Sequence, residues 1–149
     1  IARRLRLASP EEARSPFRVR YELPFVQPLD RETLDSAAVA LQGEHRFRAF
    51  AVAGTAPAHD DHRCTVTSAK WDDRPGGLVF AIEANRFLHH MVRFLVGTML
   101  DIATNRRPRS DFSRLLQARD NSEVSPPAPP HALFLDAVRY PRELYLEGA

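Results

Sequence analysis

Residues 85–97, NRFLHHMVRFLVG, set four cationic or ionisable nitrogen side chains into an apolar run. His89, His90 and Arg93 follow Arg86 by three, four and seven residues, a spacing that on a 3.6-residue helix places all four along one stripe. The intervening Phe87, Leu88, Met91, Val92, Phe94 and Leu95 predict a helix that is mostly buried. A guanidinium in such a setting is costly unless it meets an anion. The chemistry expected of Arg93 is therefore anion recognition: holding a catalytic carboxylate or a substrate's negative charge. The plainer alternative is an arginine whose stem is buried and whose head reaches water. Gly97 lies one turn beyond Arg93 on the same face. A glycine inside a helix costs about 1 kcal/mol, so its presence predicts the close approach of another backbone or of a ligand. His89 and His90 are adjacent and would face about 100° apart on a helix, which suits structural hydrogen bonds or nucleic-acid contact better than chelation of one metal.

Other candidates for chemistry are weaker. His59, Asp60, Asp61 and His62 (HDDH) have metal-ligand side chains, but the run reads as a polar loop with no second cluster to complete a site. A metal-dependent hydrolase built on it is the reading this run would otherwise suggest. Cys64 has no cysteine partner and reads as a small core residue. The sequence contains no G-x-S-x-G elbow, no glycine-rich phosphate loop and no paired-carboxylate motif.

The elements that must position these residues are mixed. Alternation over 17–25 (FRVRYELPF) predicts a strand. Asp30 is placed to cap a helix over about 31–41, ended by Gly43. Residues 63–71 and 78–84 read as strands joined by a turn cluster of Asp72, Asp73, Pro75, Gly76 and Gly77, an antiparallel hairpin. Asn85 is expected to cap the long helix to about Asn105. A shorter helix is expected over about 110–118, then a stiff PPAPP segment at 126–130, then a closing strand over 133–140. Together these predict an α+β fold, an antiparallel sheet with helices packed on one face.

Composition narrows the function. The chain has 149 residues, 44% of them hydrophobic, enough for one domain with a core. No apolar run reaches the roughly 18 uncharged residues of a membrane span. A single cysteine excludes an internal disulfide and points to a reducing, cytoplasmic setting. The net charge is only +2, but of 21 basic residues Lys70 alone is lysine. Arginine's planar fork suits phosphate and carboxylate. The opening ARRLRL reads like the middle of an element, which suggests the C-terminal piece of a longer protein.

Four segments carry a resemblance. Asn85, Phe87, Met91, Val92, Arg93 and Gly97 match N-x-F-x-x-x-M-V-R-x-x-x-G, and LQGEHRFRAF at 41–50 is similar to L-x-G-x-H-D-F-x-x-F. Arg63 is similar to the second arginine of R-T-x-x-R, and 125–141 (SPPAPPHALFLDAVRYP) resembles A-P-x-x-G-L-x-L-x-x-V-x-Y-P. By these segments the chain resembles the second half of the TruA-type tRNA pseudouridine synthases.

That family isomerises uridine to pseudouridine in the anticodon arm of tRNA, without cofactor or metal and typically as a homodimer. The resemblance implies that Arg93 pairs with a catalytic aspartate. That aspartate's G-R-T-D-A-G-V-H motif belongs to the N-terminal half and is absent here, so this chain alone is expected to be inactive. It implies that Leu133 lines the uracil pocket. Arg86, His89, His90, Arg63 and His45 are candidate RNA contacts. Residues 1–14 would be the end of a preceding domain or a hinge, 15–141 the domain, and 142–149 a tail.

Three positions depart from the family pattern. Leu5 stands where its base-stacking tyrosine is expected, Ala132 where it has glycine, and His59 with Asp60 where it has R-T. A non-catalytic RNA-binding module on the same fold is the alternative that the Leu5 departure favours.

Overall fold

A computed structural model describes residues 1–9, 12, 16–18 and 20–144. Its centre is β1 (Ala2–Ala8), which pairs antiparallel along one edge with β5 (Gly77–Ala84). The other edge of β1 is shared end to end by β6 (Leu133–Ala137), antiparallel, and the two-residue β2 (Leu23–Pro24), parallel. The sheet continues from β5 to β4 (Arg63–Arg74) and then to β3 (Gly43–Arg46), both antiparallel. Residues 2–8, set apart by sequence from the domain at 15–141, thus form the strand on which the sheet is built. The boundary at 14/15 and residues 145–149 of the tail lie outside the described residues.

Alternation explains the sheet's two faces. Leu5, Leu7, Val66, Ala69, Trp71, Phe80 and Ile82 are buried, while the intervening Arg4 and Lys70 are exposed. The buried face is covered by α1 (Arg31–Leu41), which packs on β4, and by α2 (Met91–Ala103), which packs on α1; α3 (Ser110–Leu116) packs on α2. The expected α+β fold with helices on one face is what forms. No helix among the described residues is long and apolar enough to cross a membrane.

Several elements form as their local chemistry dictates. Asp30 caps α1, its carboxylate accepting from the Thr33 N–H at 3.4 Å and the Thr33 hydroxyl at 2.8 Å. The β4–β5 hairpin turns at Pro75 and Gly76, with Asp72 and Asp73 still paired in the ladder. Asn105 takes up φ +60° past the end of α2. There its N–H donates to the Ile102 carbonyl and that of Arg106 to the Asp101 carbonyl, a left-handed C-terminal cap.

Three expectations are corrected. The strand expected over 17–25 is mostly turn: only Leu23–Pro24 pairs, Phe17 and Tyr21 are exposed, and Val19 lies outside the described residues. The alternation there had no neighbouring strand to pair with along most of its length. The closing strand ends at Ala137 rather than Tyr140. The largest correction concerns 85–90, which is not helical.

Candidate active site

Asn85 does not cap a helix. Its N–H donates to the Thr65 carbonyl at 3.0 Å and its side-chain oxygen accepts from the Thr65 N–H at 2.8 Å, so it finishes the sheet ladder. Arg86 then forks onto Asp60, at 3.1 and 2.5 Å. The His89 carbonyl accepts from the Val52 N–H at 3.2 Å. These long-range bonds hold 85–90 in an irregular path, overriding its helical pattern. The path ends at His90, which has φ +61° and stands directly before the first turn of α2.

The expected four-residue stripe therefore does not exist. Arg93 alone lies within α2. The structure nevertheless gathers three of the four around one open cavity of about 350 Å³. Its walls are Arg3 of β1, Phe87, His89 and His90 of the connection, Arg93 of α2, and Leu133 at the start of β6. The imidazoles of His89 and His90 are exposed and stacked, centroids 4.1 Å apart. Partial desolvation, followed by the charges of Arg93 and His89, lowers the His90 pKa from its usual value and favours the neutral ring.

Arg93 is anchored at its stem. Its Nε donates to the Ala128 carbonyl at 2.6 Å, and its own carbonyl accepts from the Ala128 N–H at 2.9 Å. One turn on, a Cβ at Gly97 would sit 2.1 Å from the Pro126 carbonyl oxygen. The close approach predicted at Gly97 is thus that of the PPAPP segment, which runs along α2 and fixes the guanidinium. Among the described residues no carboxylate pairs with Arg93.

The remaining candidates lie elsewhere. Arg86 is committed to Asp60, whose carboxyl is held down at about 2, chiefly by the Arg86 hydrogen bond and then by the His62 N–H. Arg63 pairs with Asp61 at 3.1 Å and Glu44 at 3.4 Å. His45 Nε2 lies 3.1 Å from the Gln42 carbonyl oxygen, and its strand β3 pairs with the start of β4. None of the three lines the cavity. The HDDH run has an internal role: Asp60 anchors Arg86, Asp61 pairs with Arg63, and His62 adopts φ +62°. Cys64 is fully buried, and burial pushes its thiol up to about 11, as suits a core residue.

Leu5 is also fully buried, paired between Phe80 and Leu133, and does not line the cavity. Ala132 is buried in a short 3₁₀ turn, Pro130–Ala132, without positive φ. The residue that sequence reasoning missed is Arg3. A signal was present: Arg3, Leu5 and Leu7 share one face of a strand, so a cation falls in register with two core leucines.

Comparison with known proteins gives this arrangement a family. A family model described as tRNA pseudouridine synthase matches residues 37–141, which takes in all four motif segments. A protein named tRNA pseudouridine synthase A from Porphyromonas gingivalis is 34% identical over 140 residues, covering 91% of this chain and 54% of its own length. Its namesake from Leuconostoc mesenteroides is 34% identical over 134 residues, covering 89% of this chain and 52% of its own length. The one from Bordetella petrii is 39% identical over 123 residues, covering 80% and 44%. The chain belongs to the tRNA pseudouridine synthase family. It spans about half the length of the curated relatives it matches.

Proposed function

We propose that this chain is the C-terminal half of a cytoplasmic, homodimeric enzyme that isomerises uridine to pseudouridine in the anticodon arm of tRNA. In this reading the other half supplies the catalytic aspartate. The observation that carries it is Arg93. A half-buried guanidinium is held by its Nε on the wall of a cavity, with no carboxylate partner among the described residues. Charge balance calls for an anion at that place.

An aspartate entering the cavity would be kept ionised by Arg93, because an adjacent opposite charge favours the carboxylate. It would then be available as a nucleophile or base. The reaction breaks the C1'–N1 glycosidic bond, turns the uracil and rejoins it through C5. The base must leave its stack to react, and Leu133 offers it an apolar wall. His90, kept neutral, adds no second charge beside Arg93. The family's base-stacking ring is not replaced by Leu5, which faces the core; this favours the alternative of an RNA-binding module without catalysis.

The test is pseudouridine formation in a transcribed tRNA. The 149-residue chain alone should give none, and conversion by it would overturn the assignment of Arg93. Continuous with the half that carries the aspartate, it should convert the tRNA, and Arg93→Ala should lower the rate by about a hundred- to a thousandfold, as loss of an electrostatic partner at the reacting group does. Tight tRNA binding with no conversion by the complete protein would establish the alternative.

A further inference from the structure

The cavity holds a second cation that the pairing with an aspartate leaves unused. Arg3 projects from β1, which is fixed by ladders to β5 and β6 on both edges. Its guanidinium carbon lies 5.8 Å from the centre of the half-buried Phe87 ring, which flattens it against the cavity wall. Its Nε is buried and has no hydrogen-bond acceptor. No ion pair involves Arg3 among the described residues. The carboxylates of the two neighbouring strands are taken: Asp136 of β6 by Arg4 at 3.2 Å and Glu83 of β5 by Arg139 at 3.2 Å. A buried donor without an acceptor signals a missing partner.

Two guanidinium groups, Arg3 and Arg93, therefore share one cavity without an internal anion. A single aspartate neutralises one of them. The other must draw its charge from the substrate, and the anionic group of RNA is phosphate. We infer that Arg3 binds a backbone phosphate of the nucleotide whose base enters the cavity, with Nε among its donors. This rests on the tRNA reading above and deepens it. Arg3 would then position the flipped nucleotide, Arg93 the aspartate, and Phe87 would hold the Arg3 fork in plane.

The experiment measures tRNA affinity of the 149-residue chain against salt concentration. Each phosphate contact contributes about 0.7 to 0.9 to the slope of log affinity on log salt. Arg3→Gln should lower the slope by that amount, weakening binding about threefold at a fourfold lower salt concentration relative to its effect at the higher one. Arg3→Lys should keep the wild-type slope, because an ammonium still meets phosphate; a purely structural role would make the two variants alike. An unchanged slope in Arg3→Gln, with wild-type binding intact, overturns the phosphate role and leaves the tRNA reading standing. No tRNA binding by the chain continuous with its other half overturns both.

Should the glutamine variant fail to fold, the wild-type chain decides. Its Arg3 Nε–H resonance should move on adding uridine 5'-monophosphate and not on adding uridine. No movement with either overturns the inference.

Discussion

The two walls of the cavity are built by different physics. On one side α2 and the PPAPP segment meet backbone to backbone. Gly97 admits the Pro126 carbonyl, Ala128 and Arg93 exchange two hydrogen bonds, and the rest of α2 is buried in the core. On the other side, 85–90 has few apolar anchors. It hangs on the Asn85–Thr65 pair, the Arg86–Asp60 fork and the single bond from Val52 to the His89 carbonyl. Burial and dispersion fix the first wall and respond weakly to pH and salt. One ion pair and several neutral hydrogen bonds hold the second, with Leu88 and Phe87 against the core, and the ion pair should respond to both. The difference teaches that the anchored guanidinium and the groups carried by 85–90 can be separated by perturbation.

Gly97→Ala breaks the first wall and should have the largest effect. Alanine is the better helix former by about 1 kcal/mol, so an isolated helix would gain. Here its Cβ would overlap the Pro126 oxygen at 2.1 Å, and overpacking of this kind costs about 1–3 kcal/mol. The net expectation is destabilisation by up to about 2 kcal/mol in chemical denaturation, with the Arg93 Nε–H···Ala128 bond lost in the nitrogen-15 spectrum. A variant as stable as wild type would show that the contact at Gly97 is slack.

Asp60→Asn tests the second wall and should act more locally. The fork to Arg86 loses its charge, so amides within 86–90 should exchange with solvent severalfold faster, while those of α2 stay protected. The same wall should open with acid. Asp60 has a folded-state pKa of about 2 against the ordinary 3.8, so its contribution is present above about pH 4 and disappears as pH falls towards 2. Arg86→Met should return the Asp60 titration, read from its carboxyl carbon shift, towards 3.8. A midpoint that stays near 2 would assign the effect to the His62 N–H instead.

These two walls also explain what could be read from sequence. The Asp30 cap, the β4–β5 hairpin and the close approach at Gly97 are legible because the relevant partners are near in sequence or the residue type admits few explanations. The helix expected over 85–90 was misplaced because its competing bonds come from Val52, Asp60 and Thr65, far along the chain. No local pattern in FLHH announces them. The strand expected over 17–25 failed for the related reason that alternation specifies a face but supplies no neighbour. The sequence singles out Arg93, and the structure places it on the cavity wall. Leu133 was indicated by the family resemblance, whereas Arg3 depended on β1 pairing with β5 and β6, which only the assembled sheet determines.

The finest probe joins the two walls. His90 belongs to the wall formed by 85–90 and Arg93 to the packed one, and the guanidinium is one of the charges that lower the His90 pKa, after partial desolvation. A folded-state value below the ordinary 6.5 means that the unfolded chain binds more protons just below that pH. Stability from this group is therefore lost as pH falls below about 6.5. Arg93→Met should raise the His90 midpoint partway towards 6.5, read from its ring Cε1–H shift, because the partial desolvation and the His89 charge survive. In the proposed reading, an aspartate brought against Arg93 by the other half should raise it in the same direction by neutralising the guanidinium. The isolated chain and the complete protein should therefore differ at His90 even in the absence of RNA. If neither the substitution nor the added half moves the midpoint, the two walls are electrostatically independent, and the aspartate does not sit where Arg93 points.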